Sequence, residues 1–208
     1  YSAFILFCHF IKNRNTTISF VFFSGGRTIG KKAAEKLGVP CYDSELIEQI
    51  AQESGFAKDY VQIAGEDAPV SVLGLALASR AYGQTNEDRL WEIQVRTIQA
   101  LAEKGPCVIV GRCADFILRD KADCLTVFIH ADPAVRAERI VRVYGEDSTA
   151  PEQRIREKDK RRAAYHRFYT DQKWGRAQNY QVALDSGVLG IDRCVQVLTQ
   201  LYQSDARK

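Results

Sequence analysis

Thr16-Thr-Ile-Ser-Phe-Val-Phe-Phe23 runs directly into Ser24-Gly25-Gly26-Arg27-Thr28, and that turn into Ile29-Gly-Lys-Lys-Ala-Ala-Glu-Lys-Leu37. The first run is uncharged and rich in β-branched and aromatic residues. It suits a central strand buried on both faces. Two glycines break it. Ile29, Ala33, Ala34 and Leu37 then recur at helical spacing, and Gly38 with Pro40 ends the helix. Strand, glycine turn and helix in this order form a phosphate cradle. The turn's N–H groups and the helix N-terminus point at an anion, and the helix dipole favours negative charge there. An ordinary strand–helix turn is the competing reading.

The turn departs from the full phosphate-binding pattern G-x-x-x-x-G-K-[ST]. Taking Arg27 as the lysine places Val21 at the first glycine. Sliding by one residue places Gly26 at the lysine. Arg27 still has a guanidinium suited to bidentate phosphate contact, and the Thr28 hydroxyl suits Mg²⁺. The Phe23 side chain stands in the way of close phosphate approach.

The remaining chain alternates strands and helices. Val39 to Asp43 reads as a short strand ending in a carboxylate, with Ser44 as N-cap of a helix carrying Leu46, Ile47 and Ile50. Residues 55–83 hold short apolar groups between glycines and Pro69, and read as a helical insert. Asn86 is placed to cap a helix through Leu101. Cys107 to Val110 is a wholly apolar strand ending at Gly111-Arg112, with a helix from Ala114 to Leu118. Cys124 to Ile129 is another, followed by Asp132 as N-cap and Pro133 at the first helical position. Pro151 opens a charged helix to about Tyr169. Tyr180 to Leu184 and a helix from Ile191 to Tyr202 close the chain. The expected fold is α/β: a doubly wound parallel sheet of about five strands with right-handed crossovers. Ligands of such sheets sit at the carboxyl ends of the strands. Ser24-Gly25-Gly26, Asp43, Gly111-Arg112 and Asp132 cluster there.

Two further features carry chemistry. Arg112 is expected to project over the ligand edge, with Asp115 on the same face of the short helix; a surface ion pair is the plain alternative. The helix from Arg154 to Tyr169 holds seven cations against Glu157 and Asp159. Such a helix repels itself without an anionic partner. A lid closing over polyphosphate accounts for it, supplying positive charge to a transferring phosphoryl group and excluding water. His130 and His166 have no partner spacing that points to a metal or a triad, and read as structural or surface residues.

The chain has 208 residues and a net charge of +3, enough for one α/β domain and too little charge for bulk nucleic-acid binding. The six cysteines include no C-x-x-C pair and read as free thiols in a reducing compartment. There is no methionine, so residue 1 reads as the result of truncation, processing or mistranslation. The apolar run from Tyr1 to Ile11 is too short to span a bilayer and lacks the flanks of a signal peptide. A cytoplasmic protein without a membrane partner is the expectation.

Several stretches resemble the cytidylate kinase-like proteins, relatives of bacterial cytidylate kinase. They are SGGRTIGKKAAEKLGVPCYDSELI, NEDRLWEIQ, EKGPCVIVGRCADFILRD and REKDKRRAAYHRFYTDQKWG, and the resemblance runs from about Thr16 to Tyr202. It implies a P-loop nucleoside monophosphate kinase fold across residues 16–204, with an acceptor-binding insert at 44–85 and a lid at 149–176, after an atypical segment 1–15. The activity it implies is transfer of the γ-phosphoryl group of ATP to CMP or dCMP, with Mg²⁺. By similarity, Ser24, Gly25, Gly26, Arg27 and Thr28 line the donor phosphates, Thr28 also serving the metal. Asp43 and Ser44 face the acceptor, and Arg112 and Asp115 match the element that contacts the monophosphate. Lys158, Arg161 and Arg162 match the basic cluster of the lid. Cytidylate kinases carry a loop lysine that the kinase-like relatives generally lack. Phe20-Val21-Phe22-Phe23 stands where those relatives carry Arg-Gln-Tyr-Gly. Three other readings stay open: a kinase of another small acceptor, a nucleotide-binding protein without transfer, and a lid helix that binds nucleic acid.

Overall fold

A computed structural model describes residues 15–20, 24–64, 83, 85–120, 124–144 and 151–204. Residues 1–14 of the atypical N-terminal segment, the expected strand end at 21–23, the middle of the expected insert and the first residues of the expected lid lie outside them. Five strands form one parallel sheet: β1 (Asn15–Phe20), β2 (Cys41–Tyr42), β3 (Val108–Val110), β4 (Cys124–His130) and β5 (Val182–Asp185), in the order β2-β3-β1-β4-β5. β1 is central. Ile18 pairs in register with Val110 on one side and Val127 on the other. The chain therefore leaves β1 towards one edge and later returns to its other side, which creates a crevice at the carboxyl ends of β1, β3 and β4.

The helices are α1 (Gly26–Leu37), α2 (Ser44–Ser54), α3 (Lys58–Ala64), α4 (Asn86–Glu103), α5 (Ala114–Ile117), α6 (Pro133–Tyr144), α7 (Pro151–Thr170), α8 (Ser186–Leu189) and α9 (Ile191–Ser204). Alternation along β3 divides the core in two. Val108 and Val110 join Ile29, Ala33, Val127, Val195 and Leu198, packing α1 and α9 on one face. Ile109 joins Leu46, Ile50, Leu90, Ile98 and Leu101, packing α2 and α4 on the other. Each fully buried aliphatic side chain contributes roughly 1.5–3 kcal/mol. A third cluster sets Cys113 and Tyr165 against Trp91, Phe168 and Tyr169, and so seats the end of α7 on α4. The Trp91 and Tyr169 rings stack at 4.4 Å.

Two helix starts differ from the sequence expectation. Thr85, not Asn86, caps α4, through a reciprocal box with Asp88: the Asp88 N–H donates to Thr85 Oγ1 at 3.1 Å, and the Thr85 N–H donates to Asp88 Oδ2 at 3.3 Å. A capping box needs an acid three residues on, and only Thr85 has one in place. Asp43 precedes α2 as its cap without a side-chain cap bond, and Ser44 is the first helical residue. The Asp43 carboxylate is engaged elsewhere, as described below.

The described cysteines are free thiols. Burial pushes the Cys41 thiol up to about 11, with Asp43 adding to the effect. Burial, then the neighbouring Cys124 and Cys41, push Cys107 up to about 12. Both stay protonated at pH 8. Peptide mapping after iodoacetamide treatment at pH 8 is therefore expected to find Cys41 and Cys107 labelled slowly in the folded protein and rapidly in denaturant; equal rates would contradict the burial. The folded values lie above the ordinary 9.0. Their contribution to stability is thus complete below that pH and is lost as pH rises through 11 and 12.

Candidate active site at the carboxyl edge of the sheet

The turn after β1 is stitched to the end of β4 and to the residue that follows β5. Ser24 is buried, and its hydroxyl donates to Ile129 O at 3.2 Å. The Ser186 hydroxyl, at the end of β5, lies 2.6 Å from Ser24 O and 2.9 Å from His130 O. Gly25 is the N-cap of α1 at φ +84°, in the left-handed region that favours glycine. A Cβ there would stand 2.5 Å from Ile191 Cδ1 and 3.3 Å from Arg139 Cζ. Gly26 is buried as the first helical residue, and Thr28 is half-buried one residue beyond Arg27. The first turn of α1 carries no acidic side chain of its own, and its positive dipole end lies at the carboxyl edge of β1.

Arg27 does not reach into this cradle. Its Nε lies 2.7 Å from Asp43 Oδ2, and Lys31 Nζ lies 3.9 Å from the same oxygen. Asp43 is 6% exposed and so is a buried carboxylate between two cations. The pair joins the start of α1 to the start of α2. It thus brings together two residues that the sequence assigned to opposite substrates.

The turn after β3 is conformationally unusual. Gly111, Arg112 and Cys113 all have positive φ, at 76°, 59° and 55°. Left-handed residues other than glycine cost of order 1–3 kcal/mol each, and such strain concentrates at functional sites. Arg112 is not the projecting side chain that the sequence suggested. It is buried, and its Nη1 donates to Val61 O at 3.1 Å, while Gln94 Nε2 donates to Arg112 O at 3.0 Å. The turn is thereby locked to α3 and α4. Asp115 is buried too, not part of a surface pair. Its Oδ2 lies 3.4 Å from His166 Nε2 in α7, and its Oδ1 has no hydrogen-bond partner among the described residues. The other ring nitrogen of His166 meets Thr170 Oγ1 at 3.0 Å. His166 is thus structural, and it ties α7 to the β3 turn. Nothing in its sequence spacing pointed to a partner 51 residues away.

Lys158, Arg161 and Arg162 lie half-buried on α7. Two cations of α7, Arg156 and Arg167, have exposed carboxylate partners one turn away, whereas its anion Asp159 is taken by Arg136 Nη1 of α6 at 2.6 Å, which leaves the positive excess of α7 largely in place. Arg161 has no side-chain partner among the described residues. Among those residues there is also no group of three His, Cys, Asp or Glu that could hold a metal, and no helix long and apolar enough to cross a membrane. Arg136 and Arg139 were missed by sequence reasoning. Their signal was available: two arginines three residues apart on a helix that starts at a strand's carboxyl end.

Residues 15–188 match the cytidylate kinase-like family. A cytidylate kinase of Archaeoglobus fulgidus is 30% identical over 187 residues, covering 86% of this chain and 89% of that protein. An uncharacterized protein from Eubacterium ventriosum superposes with a TM-score of 0.70 at 25% identity, over 92% of this chain and 99% of its own. The shikimate kinase of Acinetobacter baumannii, solved with shikimate, does so with a TM-score of 0.54 at 15% identity, over 97% and 99%. That last likeness shows a shared kinase fold.

Proposed function

The chain belongs to the cytidylate kinase-like family, and we propose that it transfers the γ-phosphoryl group of ATP to CMP or dCMP. The observation that carries the reading is the meeting of three elements at one sheet edge. They are a glycine turn opening α1, a strained Gly111-Arg112 turn, and a basic helix bound to that turn through His166 and Asp115.

In this reading the backbone amides at Ser24, Gly25, Gly26, Arg27 and Thr28 hold the donor phosphates. Asp43, Ser44, Arg112 and Asp115 shape the acceptor side. Arg112 and Asp115 act there mostly by fixing the turn, since both are buried in bonds to neighbouring elements. An acceptor phosphate oxygen attacks the γ-phosphorus in line, the bond to the β–γ bridging oxygen breaks, and ADP leaves with the electron pair. Lys158, Arg161 and Arg162 stabilise charge spread over the equatorial oxygens and exclude water. Residues here fit Mg²⁺ held mainly by phosphate oxygens and water, with the half-buried Thr28 hydroxyl as the protein's oxygen. A bound Mg²⁺ would supply charge neutralisation for the transferring phosphoryl group.

One observation favours a second reading, nucleotide binding without transfer. Arg27 Nε pairs with Asp43, and Gly26 occupies the lysine position in the other register, so the turn's own cation is already partly neutralised before a nucleotide binds. A coupled assay with ATP and a panel of CMP, dCMP, UMP, AMP and shikimate separates the possibilities. Turnover confined to the cytidine nucleotides supports the proposal. Turnover with another acceptor alone moves the substrate, and ATP binding with no turnover favours the second reading.

A further inference from the structure

Lys158, Arg162, His166 and Thr170 follow one another at four-residue steps along α7. Residues so spaced are neighbours on one side of a helix. The first two are half-buried cations, and the last two are buried. The side of α7 that carries part of the basic cluster is therefore also the side that is fastened, and the fastening is built around the His166 ring. Thr170 Oγ1 donates its proton to His166 O at 2.6 Å, so towards His166 Nδ1, 3.0 Å away, it can only accept. Gln172 O, 3.3 Å from the same nitrogen, is an acceptor as well. Nδ1 thus carries a proton. Nε2 faces Asp115 Oδ2 at 3.4 Å, and a hydrogen bond there holds a second proton between ring and carboxylate. No other side chain grips Asp115 among the described residues, where its Oδ1 has no hydrogen-bond partner. Asp115 follows the strained Gly111-Arg112-Cys113 turn, and Arg112 of that turn donates to Val61 O of α3. One short turn therefore grips α3 through Arg112 and α7 through His166.

We infer that His166 is a positioning residue for phosphoryl transfer: by holding Asp115 with one ring nitrogen and the end of α7 with the other, it sets where Arg162 and Lys158 stand over the acceptor side. The inference rests on the phosphoryl-transfer reading above. A helix rises about 1.5 Å per residue, which puts Arg162 about 6 Å and Lys158 about 12 Å along α7 from this anchor. A small slide or rotation at the anchor displaces both cations, and a misplacement of about 1 Å can cost about 10²-fold in rate. His166 touches no reacting atom in this account. It acts through Asp115 and through the helix.

Steady-state kinetics and thermal melts compare wild type with His166→Phe, His166→Gln and His166→Asn, using ATP and CMP, or ATP and whichever of dCMP, UMP, AMP or shikimate the wild type turns over instead. Phenylalanine keeps the ring and removes both nitrogens. The glutamine amide nitrogen reaches the place of Nε2 and can donate to Asp115, whereas that of asparagine reaches only the place of Nδ1. The phenylalanine and asparagine variants are expected to lose roughly 10- to 100-fold in kcat, with KM for either substrate changed by less than about threefold. The glutamine variant is expected to recover kcat to within about fivefold of wild type. A ring that only fills space gives the opposite pattern: kcat near wild type in His166→Phe wherever it is folded, or kcat losses that follow Tm across all three variants. Either result overturns the inference. Should His166→Phe fail to fold, the asparagine–glutamine pair carries the same comparison, and equal kcat in those two overturns it. Wild type without turnover on any acceptor overturns the phosphoryl-transfer reading itself, and this inference with it.

Discussion

Arg161→Ala is expected to lower kcat by roughly 10²- to 10³-fold, the range seen when one preorganised charge-stabilising donor is removed. The reasoning is differential. Arg161 has no side-chain partner among the described residues, so no described group consumes its charge before substrate arrives. In the proposed mechanism its interaction forms as α7 closes on the transferring phosphoryl group and strengthens as charge spreads over the equatorial oxygens. KM for both substrates should change much less than kcat. Stability should move by no more than about 0.5 kcal/mol, because no described interaction is broken. Arg156→Ala is the control. That residue is exposed and pairs only with Glu152 among the described residues, and its loss should leave turnover near wild type. Steady-state kinetics on the two variants checks this. Equal rates would remove the lid cluster from the mechanism. Arg112 offers no such clean experiment. Its guanidinium holds Val61 O in the core, so Arg112→Ala combines any catalytic loss with a stability loss of about 1–3 kcal/mol from an unsatisfied buried carbonyl.

Gly25→Ala is expected to damage the site and the fold together. The residue sits at φ +84°, where a side chain costs about 1–2 kcal/mol. The new methyl would also meet Ile191 Cδ1 at 2.5 Å and press on the Arg139 guanidinium. Ile191 can swing aside at a small packing cost, but the turn's amides and Arg139 would move with it. Together these effects amount to about 2–3 kcal/mol, or a fall in Tm of roughly 5–10 °C for a domain of this size. ATP affinity should drop at least 10-fold at temperatures where the variant remains folded. Gly38→Ala is the comparison: it also has positive φ, but no atom lies within 4 Å of its new methyl. It should lose stability without losing ATP affinity. Thermal melts and calorimetry on the pair test whether the Gly25 neighbourhood, rather than backbone strain alone, serves the nucleotide.

The sheet was legible because its strands are short and rich in β-branched or apolar residues, with turn residues close by. Val108, Ile109 and Val110 are all buried, as a central parallel strand requires, and the preceding Gly105-Pro106 marks where α4 must stop. The Ser24-Gly25-Gly26 turn was legible for the same local reason. What escaped was side-chain commitment across elements. Arg27 and Asp43 are both polar residues at strand ends, and their spacing does not say that they neutralise each other. Arg112 and Cys113 adopt left-handed backbone that no propensity favours; Gln94 and Val61, far off in sequence, hold them there. His166 finds Asp115 only because Trp91, Tyr165 and Tyr169 seat α7 on α4. Buried polar pairs of this kind are tertiary facts, and they decide which of the charged residues remain available to a substrate.

The most direct measurement follows the γ-phosphate itself. Wild-type protein is mixed with γ-labelled ATP, Mg²⁺ and CMP, and the products are separated. The account predicts label in CDP, formed at a rate that falls at least 100-fold in Arg161→Ala. Label appearing only as inorganic phosphate, or remaining in ATP while calorimetry shows ATP bound, would contradict it.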